Sequence, residues 1–312
     1  MDINVITEVL ASTVRIATPL LLMALGGLLC QKAGVFNIAL EGFALIGAFA
    51  GVAFVQVSGG NVYIGLICAA ICGIIYSSIF AVFITKFEAN HIISSIAMNM
   101  LSAGLTSYLL RAVFGVQGRL APDIINKLNP INIPILKDIP ILSFLSGQSI
   151  VTYFSILVTI IIYVVLFKTK TGLSICAVGE SEDAARTAGI SPNKVKWKTV
   201  LISGALCAIA GAYLSTVIVS QFSENMIQGR GSTAFTSVVF GNSHPIWVAL
   251  VTLLFGFADA IGIRIELIGM KISPAIISMF PFVLAIITLG ISSYMTMQKN
   301  KGIRTKKISK KR

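Results

Sequence analysis

Asn37 and Glu41 stand four residues apart in the apolar stretch GVFNIALEGFALIGAFAG, residues 34–51, a spacing that puts them on one face of a helix. A carboxylate in such surroundings has two uses: it caps or pairs across a helix break, or it borders a path for a polar solute. Further along, Ser95, Asn99, Ser102 and Thr106 recur at helical spacing and offer donors and acceptors without charge. They suit a route for a neutral solute, and equally interhelical hydrogen bonds of about 0.6 kcal/mol each. Asp259 is another deeply placed ion, with Arg264 and Glu266 near the edge of its apolar run, and it keeps open a carrier driven by protons or sodium. An intramembrane enzyme has little support, because no pair of histidines with a glutamate and no Ser/His/Asp arrangement stands out. The five cysteines form no C-x-x-C pair, and Cys68 and Cys72 share a helix face without a third ligand. No metal site or other cofactor is expected.

The elements that hold these residues follow from composition. Glycines 34, 42, 47 and 51 would each cost a soluble helix roughly 1 kcal/mol relative to alanine, whereas in a membrane they let helices approach closely. The 312-residue chain is 56% hydrophobic and 12% charged, against about 25% charged in average soluble domains. Its mean hydropathy is +0.90. Apolar runs near 13–30, 35–56, 62–84, 92–114, 149–167, 197–219, 221–240, 245–263 and 275–297 are each close to the roughly 20 residues a hydrocarbon core requires. Glu224 and Arg230 interrupt the seventh. These runs define an all-α polytopic membrane protein of eight to ten spans, with one transmembrane domain over residues 1–297 and a basic tail over 298–312.

Charge sets the orientation. Residues 168–198 carry six basic side chains and the tail eight more, so the positive-inside bias places both in the cytoplasm. A nine-span arrangement with the N-terminus outside then puts sixteen of the 24 basic residues inside, counting Lys32 and Lys86. The net charge of +12 therefore needs no nucleic acid as a partner, and the tail is suited to anionic membrane lipid. The acids Asp2 and Glu8 precede the first basic residue, Arg15, so a cleaved signal peptide is not expected.

Two hydrophilic segments interrupt the pattern. Residues 115–148 hold four of the nine prolines and form an external loop, suited to docking a partner or to covering the bundle. Residues 177–197, AVGESEDAARTAGISPNKVKW, specify a short helix. Ser181 is placed to cap it, Glu182 and Asp183 meet the positive end of its dipole, and Arg186 lies four residues after Glu182 for an ion pair. Gly189 can take the left-handed C-terminal position, and Ser191-Pro192 starts the next span with a second cap. About seven residues are too few for a helix to persist alone, so this one needs a surface to pack on.

The pairing of FNIALEG with AVGESEDAARTAGI resembles the permease subunits of ABC importers, in the branch that handles ribose-type sugars, branched-chain amino acids and nucleosides. The resemblance covers residues 13–297 and includes ANHIISSIAMNM (89–100) and GRGSTAFTSVVFGNSHP (229–245). TPLLLMALGGL (18–28) and the 89–100 segment are most similar to nucleoside permeases. It implies a pore subunit in the cell membrane, paired with a second and different permease chain. ATPase subunits would lie below, and an extracytoplasmic substrate-binding lipoprotein would deliver nucleosides, or alternatively a simple sugar. It also makes the loop helix the coupling element that enters a groove on the ATPase. Gly179, Ser181, Glu182, Asp183, Ala185, Arg186 and Gly189 are then the coupling residues, with Ala185 on the groove-facing surface. Asn37, Glu41, Ser95, Asn99, Ser102 and Thr106 are the candidate path. With no G-x-x-x-x-G-K-[ST] loop, the chain is not expected to hydrolyse ATP itself.

Overall fold

The computed structural model describes residues 3–131, apart from 123 and 127, and residues 146–267, with positions 279 and 283. Contacts divide the chain into one unit over Met1–Phe257 and a second over Ala258–Arg312. Seven helices among the described residues are long and apolar enough to cross a membrane. The apolar run 275–297 and the basic tail lie outside the described residues.

The chain runs through α1 (Ile3–Lys32), α2 (Leu40–Val57), α3 (Val62–Thr85), α4 (His91–Phe114), β1 (Arg119–Leu120), α5 (Ile150–Lys168), α6 (Lys170–Glu180) and α7 (Glu182–Thr187). There follow α8 (Pro192–Tyr213), a π-helical turn (Leu214–Ile218), β2 (Phe222–Ser223), α9 (Arg230–Phe240) and α10 (Pro245–Leu267). Asparagines start two of the spans: Asn61 accepts from the amides of Tyr63 and Ile64, and Asn90 from those of Ile92 and Ile93.

The centre of the bundle is α8, packed against α1, α2 and α3. Small residues make this possible. A Cβ at Gly47 would overlap the backbone of Ala208, and one at Gly211 would overlap the backbone of Ala44. Where backbones touch, dispersion contacts over the whole helix length hold the pair together, as membrane packing requires in the absence of a hydrophobic drive between helices. The outer faces are different: α3 exposes Ile67, Ile71 and Ile75, and α5 exposes Leu157, Ile160 and Ile161.

Two spans depart from the sequence expectation. Helix α2 begins at Leu40, not near residue 35, and Gly34 takes a left-handed φ of 76°. Asn37 therefore precedes the helix and does not share a helical face with Glu41. Its Oδ1 accepts from Ala39 N at 2.9 Å, a local bond that competes with helical pairing.

The run 221–240 is helical only in its second half. β2 pairs antiparallel with β1, just beyond the C-terminus of α4. At the opposite end His244 meets Tyr163 edge to face and Phe167 at a tilt, close to the C-terminus of α5. Residues 222–244 thus pass from one end of the bundle to the other, first as turns and then as the eleven-residue α9. Such a helix rises about 16 Å, roughly half a hydrocarbon core. Glu224, Asn225, Gln228 and Gly229 supply the reason, since none favours a helix interior in lipid. Within the cytoplasmic segment 168–198, ahead of the expected short helix, α6 forms against α5, with Gly172 in contact with the backbone of Val165 and Leu166.

Candidate functional site

The two glycine-punctuated stretches, 34–51 and 229–245, meet inside the bundle. Glu41 Oε1 accepts the amide of Gly229 at 2.8 Å, and a Cβ at Gly231 would overlap the backbone of Glu41. Glu41 also lies in the first turn of its own helix, α2. One carboxylate thus sits at two helix N-termini, each of which contributes about 0.3–2 kcal/mol to a negative charge so placed. That accounts for an acid in an otherwise apolar run. The junction is deep: Asn37, one turn before, donates to Ser203 Oγ at 3.4 Å, halfway along α8.

The polar stripe of α4 attends the other side of the same break. Ser95 Oγ accepts from Ile38 N at 3.1 Å, while Asn99 accepts from Gly42 N at 2.8 Å and donates to Ile38 O at 3.2 Å. Unwound backbone in a membrane must find partners inside the protein, and Asn99 supplies two of them. Ser102 and Thr106 turn their hydroxyls back onto their own helix, donating to Asn99 O at 2.7 Å and Ser102 O at 2.8 Å. Ser95, Ser102 and Thr106 are buried and Asn99 is half-buried. Of the six residues expected to line a path, Asn37, Glu41, Ser95 and Asn99 tie the break to α4, α8 and α9, while Ser102 and Thr106 bond only within α4. Missed in the sequence were His91, whose Nδ1 accepts from Phe36 N at 3.4 Å, and Ser203. Their separation from residues 36 and 37 exceeds any motif spacing. Among the described residues no group of His, Cys, Asp and Glu is placed to hold a metal.

Replacing Glu41 by Gln keeps an acceptor for Gly229 N and should preserve assembly and most transport. Glu41→Leu leaves that half-buried amide without its acceptor, a loss of about 1 kcal/mol, and should lower the yield of folded protein in size-exclusion profiles. A Gln variant that assembles normally and transports nothing would place Glu41 on the path instead.

The loop helix forms where expected. Ser181 Oγ accepts from Ala184 N at 3.3 Å, and Ile190 N reaches back to Ala185 O at 2.9 Å across Gly189, whose φ is 79°. Three details differ. Glu182 pairs with Lys196 on α8, and Arg186 is left exposed. Lys196 is buried and needs a counter-charge, whereas an exposed guanidinium is served by water. Ala185 faces inward, only 2% exposed, so the outward surface consists of Asp183, Ala184, Arg186 and Thr187. Ser191 makes no side-chain cap, although Pro192 does occupy the first turn of α8. Gly179 packs directly on the backbone of Lys32 and Gly34, which ties α6 to the turn before α2. The helix α7 is therefore joined to α8 through an ion pair, a buried methyl group and a four-residue turn.

A polytopic α-helical bundle with a broken crossing and a capped helix at one end has the organisation of a transport subunit. The chain belongs to the branched-chain amino acid transport system / permease component family, whose pattern it matches over residues 9–289. It is 32% identical over 298 residues to the nucleoside ABC transporter permease protein NupC of Lactococcus lactis subsp. cremoris, with 93% of each chain covered. It is 34% identical over 300 residues to the guanosine ABC transporter permease protein NupQ of Bacillus subtilis, again with 93% of each covered. A putative glucose ABC transporter permease protein of Haloferax volcanii, TsgC13, is 30% identical over 270 residues, covering 85% of this chain and 80% of the relative. No solved structure matches the chain.

Proposed function

We propose that this chain is one permease subunit of an ATP-driven importer of nucleosides. The observation that carries the transport reading is α7, a capped helix with an exposed outer face, fastened by the Glu182–Lys196 pair to the helix at the centre of the bundle. An ATPase subunit would hold that face in a groove, and closure on ATP would move α7 and α8 together. The basic residues of 168–198 support a cytoplasmic position for this end. A binding protein would then deliver substrate at the β1–β2 end, and a second, different permease would complete the pore. Family membership favours ATP over the ion gradient that Asp259 alone suggests. The substrate reading rests on the names of the relatives NupC and NupQ, and TsgC13 supports glucose as a second reading. Uptake of a labelled nucleoside by cells expressing the whole importer decides between them. Competition by unlabelled inosine, guanosine, adenosine or a pyrimidine nucleoside is expected. Competition by a sugar alone would overturn the nucleoside assignment.

A further inference from the structure

The broken crossing exposes a polar surface that the candidate path did not include. Asn225, Gln228 and Ser232 are exposed, and Thr236 is half-exposed one turn beyond Ser232. Asn225 and Gln228 take left-handed φ values of 56° and 50°, which direct the chain into the bundle and then into α9. Phe235 of α9 meets Phe36 edge to face with ring centroids 4.8 Å apart, and Phe36 is 40% exposed.

Hydrocarbon cannot cover this surface. Irregular backbone and exposed carboxamides at membrane depth survive only against protein or in a water-filled cavity; Thr236 alone donates back to its own helix, to Ser232 O at 2.8 Å. The isoleucine-lined outer faces of α3 and α5 suit lipid, and this face is of the opposite character. Its neighbouring charges are tied to backbone. Glu41 is held by Gly229 N, and the guanidinium of Arg230 turns back onto the carbonyls of Met226 and Ile227, at 3.4 Å each. What remains outward is a row of carboxamides and hydroxyls next to two aromatic rings. Carboxamides match the mixed donors and acceptors of a nucleobase edge, hydroxyls match a ribose, and a ring pair offers a surface for stacking. Repeat-built secondary transporters bind cargo where broken helices meet at mid-depth, which makes such a junction a candidate site here as well.

We infer that the face carrying Asn225, Gln228, Ser232 and Thr236, with the Phe36–Phe235 pair, lines the translocation path and contacts the nucleoside during passage. The inference rests on the proposed function for its cargo, and on the geometry alone for its location. Single cysteines at 225, 228, 232 and 236, read over the parent chain's own five cysteines, should react with a water-soluble thiosulfonate in the assembled importer. Cysteines at Ile71 and Ile160 should not. Saturating inosine should slow labelling at 228 and 232 severalfold, and Gln228→Leu should raise the KM for inosine with insertion unchanged. Absence of reaction at all four positions, in importers that still take up nucleoside, would place the face in a protein interface and overturn the inference while sparing the function. Reaction that inosine leaves unslowed, in an importer that transports it, overturns the contact. Slowing by glucose and not by inosine supports the lining and overturns the nucleoside reading.

Discussion

Gly189→Val is expected to insert and assemble normally yet lose substrate-stimulated ATP hydrolysis and uptake together. A Cβ at this position meets nothing within 4 Å, so the substitution causes no collision. Its effect is conformational: a β-branched residue at a φ of 79° is strained by about 2 kcal/mol, which lowers occupancy of the native turn roughly 30-fold. That turn holds the end of α7 through Gly189 N to Arg186 O and Ile190 N to Ala185 O. Gly189→Asn should restore most activity, because asparagine tolerates the left-handed region. Ala184→Trp should copy the valine phenotype by adding bulk to the exposed face, whereas Ala185→Trp should detach α7 from the bundle altogether. ATP hydrolysis and uptake measured side by side in vesicles test the set. Coupling at wild-type rates in both Gly189→Val and Ala184→Trp would refute the assignment of α7 to the ATPase.

Gly211→Leu should fail earlier, at folding. The new Cβ would lie on the carbonyl of Ala44, and no rotamer relieves a clash with backbone. Helix α2 must then separate from α8, which carries with it the Glu41 junction. The cost exceeds about 3 kcal/mol, the upper range for overpacked cores. Little monodisperse protein should survive detergent extraction. Gly104→Leu is the matched control, since a Cβ there meets nothing within 4 Å, and its yield should equal the parent's.

Hydropathy made most of the spans legible, because each is a continuous apolar run with a cap or glycine at its end. In the seventh run Glu224 and Arg230 mark an interruption, but averaging hid its form, because Glu224, Asn225, Gln228 and Gly229 are diluted by apolar neighbours. Asn37 was read as helical because the run around it is apolar, and its own bond to Ala39 N prevailed. The loop helix was legible since capping is local. The partner of Glu182 was not, because the four-residue spacing to Arg186 carries no information on which cation is buried. Glu41 was recognised as needing an explanation, but its partner lies 188 residues away, beyond the reach of any local pattern.

That distance also has a meaning in time. A ribosome adding 5–20 residues each second needs roughly 10–40 s to travel from Glu41 to Gly229. Throughout that interval the first two helices are already in the translocon or the bilayer, with the carboxylate still lacking the amide that completes its site. The young chain should therefore present membrane proteases with a longer window than its length alone implies. A nascent chain arrested before residue 229 should be degraded faster than one arrested just beyond α9.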